Sequence, residues 1–193
     1  GQGQVFHGEG ILAVAKGLGI PLTFHISTAR VDPARGWDRD MTDLFDFSNF
    51  LLHNADFWVR VSLTEVILSG VFDRFHNLKI GVAEHELSWV PYFLRRLDYT
   101  YDQQGFGREG YRFGEDMQPS DYFHRNIFLG FQEDELGIRL RDMIGVDSLQ
   151  WGSDYPHMES TFPKSQEILE EILVDCTEEE KAKIAGGNAA RVY

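Results

Sequence analysis

Three apolar runs in this chain end on residues that can bind a metal or move a proton. "TFHIS" carries His25 among β-forming neighbours, "KIGVA" is followed by Glu84 and His85, and "LQWGSDYPH" delivers Asp154 with His157 three residues later. Imidazole nitrogen and carboxylate oxygen are donors that suit zinc, manganese or iron. A divalent ion held by such donors makes water nucleophilic at neutral pH, and a neighbouring carboxylate or imidazole can then carry the proton. Each residue also has a structural reading. His25 could be a satisfied histidine inside a strand, and Glu84 could be a helix-opening acid favoured by the dipole of the segment "SWVPYF". Asp154 could be a turn residue ahead of Pro156, where aspartate is common. A carboxylate closing a buried strand argues for function, because an unpaired buried charge costs several kcal/mol.

Other chemistries lack their motifs. The sequence has no HxH, HExxH or CxxC, no GxGxxG after a strand, and no GxxxxGK[ST] or GxSxG. His7, His53, His76 and His124 fall in helical or loop contexts without a matching partner. "YTYDQQGFGREGYRF", rich in Tyr, Gly and Arg, reads as a surface loop or as a cover that contacts an aromatic or carboxylate substrate.

The elements that must position these residues alternate regularly. "GEGILAVAKGLGI" has helical spacing and stops at Gly19; "PLTFHIS" (Pro21 to Ser27) is a strand. "FSNFLLHNADFWVRVSLTEVILSGVFDRF" reads as two helices, and "LKIGVAE" (Leu78 to Glu84) as a strand buried on both faces. "SWVPYFLRRLDYTYDQQ" is helical with Pro91 in its first turn, "NIFLGF" (Asn126 to Phe131) is a third strand, and "DELGIRLRDMIG" is a helix opened by acids. "SLQWGSD" is the fourth strand; "SQEILEEILVD" and "TEEEKAKIAGGNAARVY" are closing helices, the last with Thr177 and Glu180 at capping-box spacing. Strand alternating with helix means a parallel sheet with helical crossovers. His25, Glu84 and Asp154 then sit at the C-terminal strand ends, where such sheets bind ligands.

Only four strand–helix units are visible, against about 250 residues for a complete (β/α)₈ barrel. The 193 residues suffice for one core and are read as a single domain, 1–193. With 18 basic and 31 acidic residues the formal charge is −13, which disfavours nucleic acid and anionic membrane surfaces as partners. No run approaches the ~20 apolar residues of a membrane span. The single cysteine, Cys176, fits a reducing cytoplasm and reads as a packed thiol.

Four segments together resemble a known family: "GIPLTFHIS", "FDRFHNLKIGVAEHELSWVPYFLRRLD", "SLQWGSDYPHMESTFPKS" and "EEKAKIAGGNAARVY". They are similar to the amidohydrolase-related metal-dependent hydrolases, amidohydrolase family 2, which include amino-carboxymuconate-semialdehyde decarboxylase and resorcylate-type decarboxylases. The resemblance implies an α/β fold, a parallel (β/α) barrel of the metal-dependent hydrolase type, here its C-terminal four strand–helix units. It implies a divalent metal, zinc or alternatively manganese, bound by His25 and Asp154. Asp154 with Glu84 or His85 would do the catalytic proton transfer, and His157 would bind substrate or stand behind the ligands. The reaction would be hydrolysis or non-oxidative decarboxylation of a small carboxylate or aromatic substrate.

The chain departs from the family in lacking the HxH pair of the first strand, so it can also lack the metal. A catalytically incompetent half-barrel acting as a binding or assembly module is then the alternative. A half barrel leaves sheet edges and an apolar face uncovered. The expectation is therefore a homo-oligomer, or pairing with a separate N-terminal half.

Overall fold

The computed structural model describes residues 9–25, 53–103, 113–114, 116–157 and 159–193. Within them, four parallel strands form one sheet in the order β1-β2-β3-β4, with β1 at Leu22–His25, β2 at Ile80–Ala83, β3 at Ile127–Phe131 and β4 at Leu149–Trp151. All four strands are those expected from the apolar runs: β1 and β3 begin one residue later than expected, β2 and β4 are shorter at both ends, and Ile26 and Ser27 lie outside the described residues. Parallel pairing leaves every C-terminus on one edge. His25 pairs with Ala83, one residue before Glu84, and Phe131 pairs with Trp151, three residues before Asp154.

Alternation along the strands divides the sheet into two faces. Leu22, Phe24, Ile80, Val82, Leu129 and Leu149 point into the main core, where the crossover helices cover them. Those helices are α1 (Glu9–Leu18), α2 (Ala55–Leu68), α3 (Val71–Arg74), α4 (Val90–Asp102), α5 (Pro119–Asn126), α6 (Glu135–Arg139) and α7 (Arg141–Ile144). After β4 come α8 (Ser165–Ile172), α9 (Glu178–Ala182), a π-helical stretch at Lys183–Gly187, and α10 (Asn188–Val192). The other face carries Gly81 and Gly130 together with Phe128 and Gln150: a Cβ added at Gly81 would stand 2.4 Å from the Phe128 ring.

Two helical readings differ from the structure. "DELGIRLRDMIG" breaks at Leu140, whose N–H is shared between the carbonyls of Leu136 and Gly137, tightening the turn that separates α6 from α7. Helix α5 was not expected; it opens on Pro119, with Asp121 accepting from the Gln118 N–H at 2.8 Å. The interior of "YTYDQQGFGREGYRF" and His7 lie outside the described residues.

Two buried asparagines pin the opposite, N-terminal edge of the sheet. Asn126 Nδ2 donates to the carbonyls of His76 and Leu78 ahead of β2, and Asn188 Nδ2 to those of Val146 and Leu149 at the start of β4. The "GNAARVY" segment thus anchors the chain's end beneath the last strand. On the near side of the sheet, α1 buries Leu12 and Ala15 while Ile11, Val14 and Leu18 remain exposed, and β1 and β4 are the sheet edges among the described residues.

Candidate functional site at the C-terminal strand ends

The chain leaves β2 and β4 in the same unusual way. Glu84 follows β2 directly with φ 61°, and Asp154 lies three residues past β4 with φ 55°. Both are in the left-handed region that favours glycine, at a cost on the order of 1–3 kcal/mol each. A glycine would turn the chain there without that cost. An acid stands at both places instead, which is the pattern expected where a side chain is needed.

The consequence is a cluster. His25 Nε2 donates to Glu84 Oε1 at 2.6 Å, His157 Nδ1 lies 3.4 Å from Asp154 Oδ1, and it lies 4.0 Å from Glu84 Oε2. One donor atom each from Glu84, Asp154 and His157 falls within 4.8 Å of the others. The acids are the sheltered members: side-chain exposure is 14% for Asp154 and 20% for Glu84, against 47% for His25 and 60% for His157. Burial raises the Glu84 carboxyl above its ordinary value; the adjacent His25 opposes this and the Asp154 carboxylate reinforces it.

The loop after β4 folds back on itself to present His157. The His157 N–H donates to the Asp154 carbonyl at 2.9 Å, and the Ser153 carbonyl receives both the Thr161 N–H at 3.1 Å and the Ser160 hydroxyl at 2.8 Å. The loop after β2 is tied to the loop after β3. The Leu87 and Ser88 N–H groups each donate to Asp134 Oδ2 at 2.7 Å, while Asp134 Oδ1 caps α6 by accepting from the Gly137 N–H at 2.7 Å. Glu86, also left-handed at φ 53°, accepts from the Gln132 N–H at 3.3 Å. Its burial pushes the carboxyl up to about 7.

The donor set fits a divalent cation. Ligands about 2.1 Å from one ion in tetrahedral directions stand about 3.4 Å apart, which is the separation of His157 Nδ1 and Asp154 Oδ1. Mixed oxygen and nitrogen donors suit zinc and manganese alike.

Of the residues singled out in the sequence, Glu84, Asp154 and His157 come together, His25 touches Glu84, and His85 is buried at 5% exposure with its carbonyl accepting from Trp89 Nε1 at 2.8 Å. The supporting acids Glu86 and Asp134 were not singled out. For Asp134 a signal existed, an aspartate opening "DELG" as a helix cap; for Glu86 there was none.

The family whose model describes an amidohydrolase matches residues 3–193. Among solved structures, the chain is similar to 5-carboxyvanillate decarboxylase from Sphingomonas paucimobilis, with TM-score 0.71 and 23% identity over 95% of this chain and 52% of that one. It is similar to an amidohydrolase from Mycobacterium avium subsp. paratuberculosis, with TM-score 0.72 and 25% identity over 94% and 44%. A dihydroxybenzoic acid decarboxylase from Polaromonas, solved with bound manganese and the inhibitor 2-nitroresorcinol, gives TM-score 0.66 and 20% identity over 93% and 51%. The chain therefore spans about half the length of the structures it matches, and its four strand–helix units are a partial (β/α) barrel.

Proposed function

The chain belongs to the amidohydrolase family, and from that premise we propose that it serves divalent-metal-dependent hydrolysis or non-oxidative decarboxylation of a small carboxylate or aromatic substrate. One observation carries the reading: Glu84, Asp154 and His157, from the ends of two strands that are not neighbours, converge within 4.8 Å.

Asp154 would anchor the cation, with Glu84 as a second oxygen donor and His25 and His157 as the nitrogen donors at the rim. A divalent ion bound there would supply Lewis acidity toward a substrate oxygen and lower the pKa of water. Manganese in the Polaromonas relative supports a divalent ion, and zinc fits the same donors. The residues themselves handle the proton. Glu84 Oε1 shares one with His25 Nε2 at 2.6 Å, which places the pair to take up or return a proton at the substrate. Asp154 is the second acid of that exchange, and His85, next to Glu84 and buried, is assigned the relay behind it. The exposed His157 faces the arriving substrate.

Residues 1–193 are read as one amidohydrolase-related domain acting in the cytoplasm; no described helix is long and apolar enough to cross a membrane. Pairing of two copies, or docking with an N-terminal half, would cover the exposed side of α1 and the β1 edge.

Metal analysis of protein purified without chelator tests the reading. Stoichiometric manganese or zinc, lost in Asp154→Ala, together with carbon dioxide release from hydroxylated benzoates or hydrolysis of amide analogues, is the expected result. Protein that takes up no metal under loading conditions would instead be the binding or assembly module, a second reading favoured by the missing HxH pair.

A further inference from the structure

Two buried glutamines lie on the face of the sheet turned away from the main core, and their amides are used differently. Gln150, within β4 opposite Gly130, is 8% exposed, and its Nε2 donates to the Asn188 carbonyl at 3.5 Å. Gln132, the first residue after β3, is 6% exposed. Its main chain is fixed on both sides: the N–H donates to Glu86 Oε1 at 3.3 Å, and the carbonyl accepts from Trp151 Nε1 at 3.0 Å. Its side-chain amide makes no hydrogen bond among the described residues. Asn126, Thr161 and Asn188, equally buried, all hydrogen-bond through their side chains. A buried amide without a partner weakens the fold, and a group kept that way calls for a ligand or water to complete it.

The place of Gln132 favours the ligand. Side chains alternate along β3: Ile127, Leu129 and Phe131 enter the core, so Phe128, Gly130 and Gln132 fall on the other face. Strand β3 stands between β2 and β4, so its end lies between Glu84 and Asp154, whose donor atoms come within 4.8 Å of one another. An ionised carboxylate accepts hydrogen bonds and donates none, so two acids alone repel an anion arriving at the mouth. An uncharged amide beside them offers N–H groups to the anion's oxygen and a carbonyl to an adjacent hydroxyl.

Resting on the metal-dependent reading above, we propose that Gln132 is a substrate-binding residue whose side-chain amide, held at the end of β3 by its two main-chain hydrogen bonds, donates to a carboxylate oxygen of a small anionic substrate. The amide lacks a partner in the folded chain because the substrate supplies it, and the fold carries the cost of that readiness.

The test uses the full chain loaded with Mn²⁺ and titrated with salicylate by calorimetry, alongside urea unfolding of the chelator-treated protein. Gln132→Met keeps an unbranched side chain of similar size without the amide. It should weaken salicylate binding by about 10- to 100-fold, the range for a hydrogen bond to a charged group, and leave Mn²⁺ affinity unchanged. Its urea midpoint should equal or exceed that of the wild type, because an amide without a partner gives way to apolar surface. Gln132→Glu should weaken salicylate binding further by placing a like charge beside the anion. Unchanged salicylate affinity in Gln132→Met overturns the assignment and leaves the metal reading standing, as does a loaded wild type that does not bind the anion. A urea midpoint that falls in Gln132→Met identifies a structural amide and overturns it too. A wild type that takes up no Mn²⁺ removes the metal-dependent reading, and the assignment with it.

Discussion

Replacing Glu86 by glutamine should stabilise the protein at high pH and leave it nearly unchanged at low pH. Glu86 is largely buried, its Oε2 has no hydrogen-bond partner among the described residues, and its carboxyl is pushed from an ordinary 4.5 to about 7 by burial, reinforced by Asp134 and Glu159. A carboxyl raised on folding binds its proton more tightly in the native chain. Its contribution is therefore complete below about pH 4.5 and is lost as pH rises through about 7. At 1.36 kcal/mol per pH unit across that interval, the ceiling is about 3 kcal/mol; residual solvent access brings the expectation to about 2 kcal/mol. Glutamine keeps a carbonyl for the Gln132 N–H and carries no charge at any pH. Urea unfolding of wild type and Glu86→Gln at pH 5, 7 and 9, with chelator present so that metal at the neighbouring Glu84 cannot contribute, gives the difference directly. The variant should match the wild type within about 0.5 kcal/mol at pH 5 and exceed it by about 2 kcal/mol at pH 9. A difference that stays flat across the three pH values, or falls with pH, refutes the claim that this acid is kept neutral by its surroundings.

Other perturbations probe the scaffold. The Arg141 guanidinium and the Thr177 N–H hold the Glu180 carboxyl down to about 2, so its contribution is present above about 4.5 and disappears as pH falls toward 2. Glu180→Gln should lower the melting temperature at pH 7 and flatten its decline between pH 4.5 and 2. Asn188→Ala strips donors from the half-buried Val146 carbonyl and the buried Leu149 carbonyl and should cost on the order of 1–3 kcal/mol in denaturant unfolding. Gly81→Ala would force a methyl to within 2.4 Å of the Phe128 ring and should cost roughly 1–3 kcal/mol by the same assay. Asp134→Ala removes the acceptor shared by Leu87, Ser88 and Gly137 and should weaken Mn²⁺ binding by about 10-fold, read by calorimetry, because the loop bearing Glu84 loses its tether.

What could be read from the chain beforehand, and what could not, divides along a physical line. A run such as "KIGVA" must be buried, so its existence as a strand and the oddity of an acid at its end are both visible in one dimension. Parallel order then puts all such ends on one edge, which is why His25, Glu84, Asp154 and His157 could be named from residue types alone. Helix α5 stayed hidden because its eight residues, "PSDYFHRN", are mostly polar and too short to display a period.

The role of each imidazole was illegible for a deeper reason. Whether His25 or His157 faces the Asp154 carboxylate depends on which way each acid leans over the end of β3, and that is decided by two left-handed residues where composition favours glycine. Nothing in "VAEHE" or "GSDYP" announces a positive φ. It follows from the loop's own hydrogen bonds: the His157 N–H on the Asp154 carbonyl and the Ser153 carbonyl gathering Ser160 and Thr161. Those bonds turn a histidine three residues beyond the acid back onto it. The strand end delivers the acid to the rim, and the hydrogen bonds of the loop that follows return His157 to it.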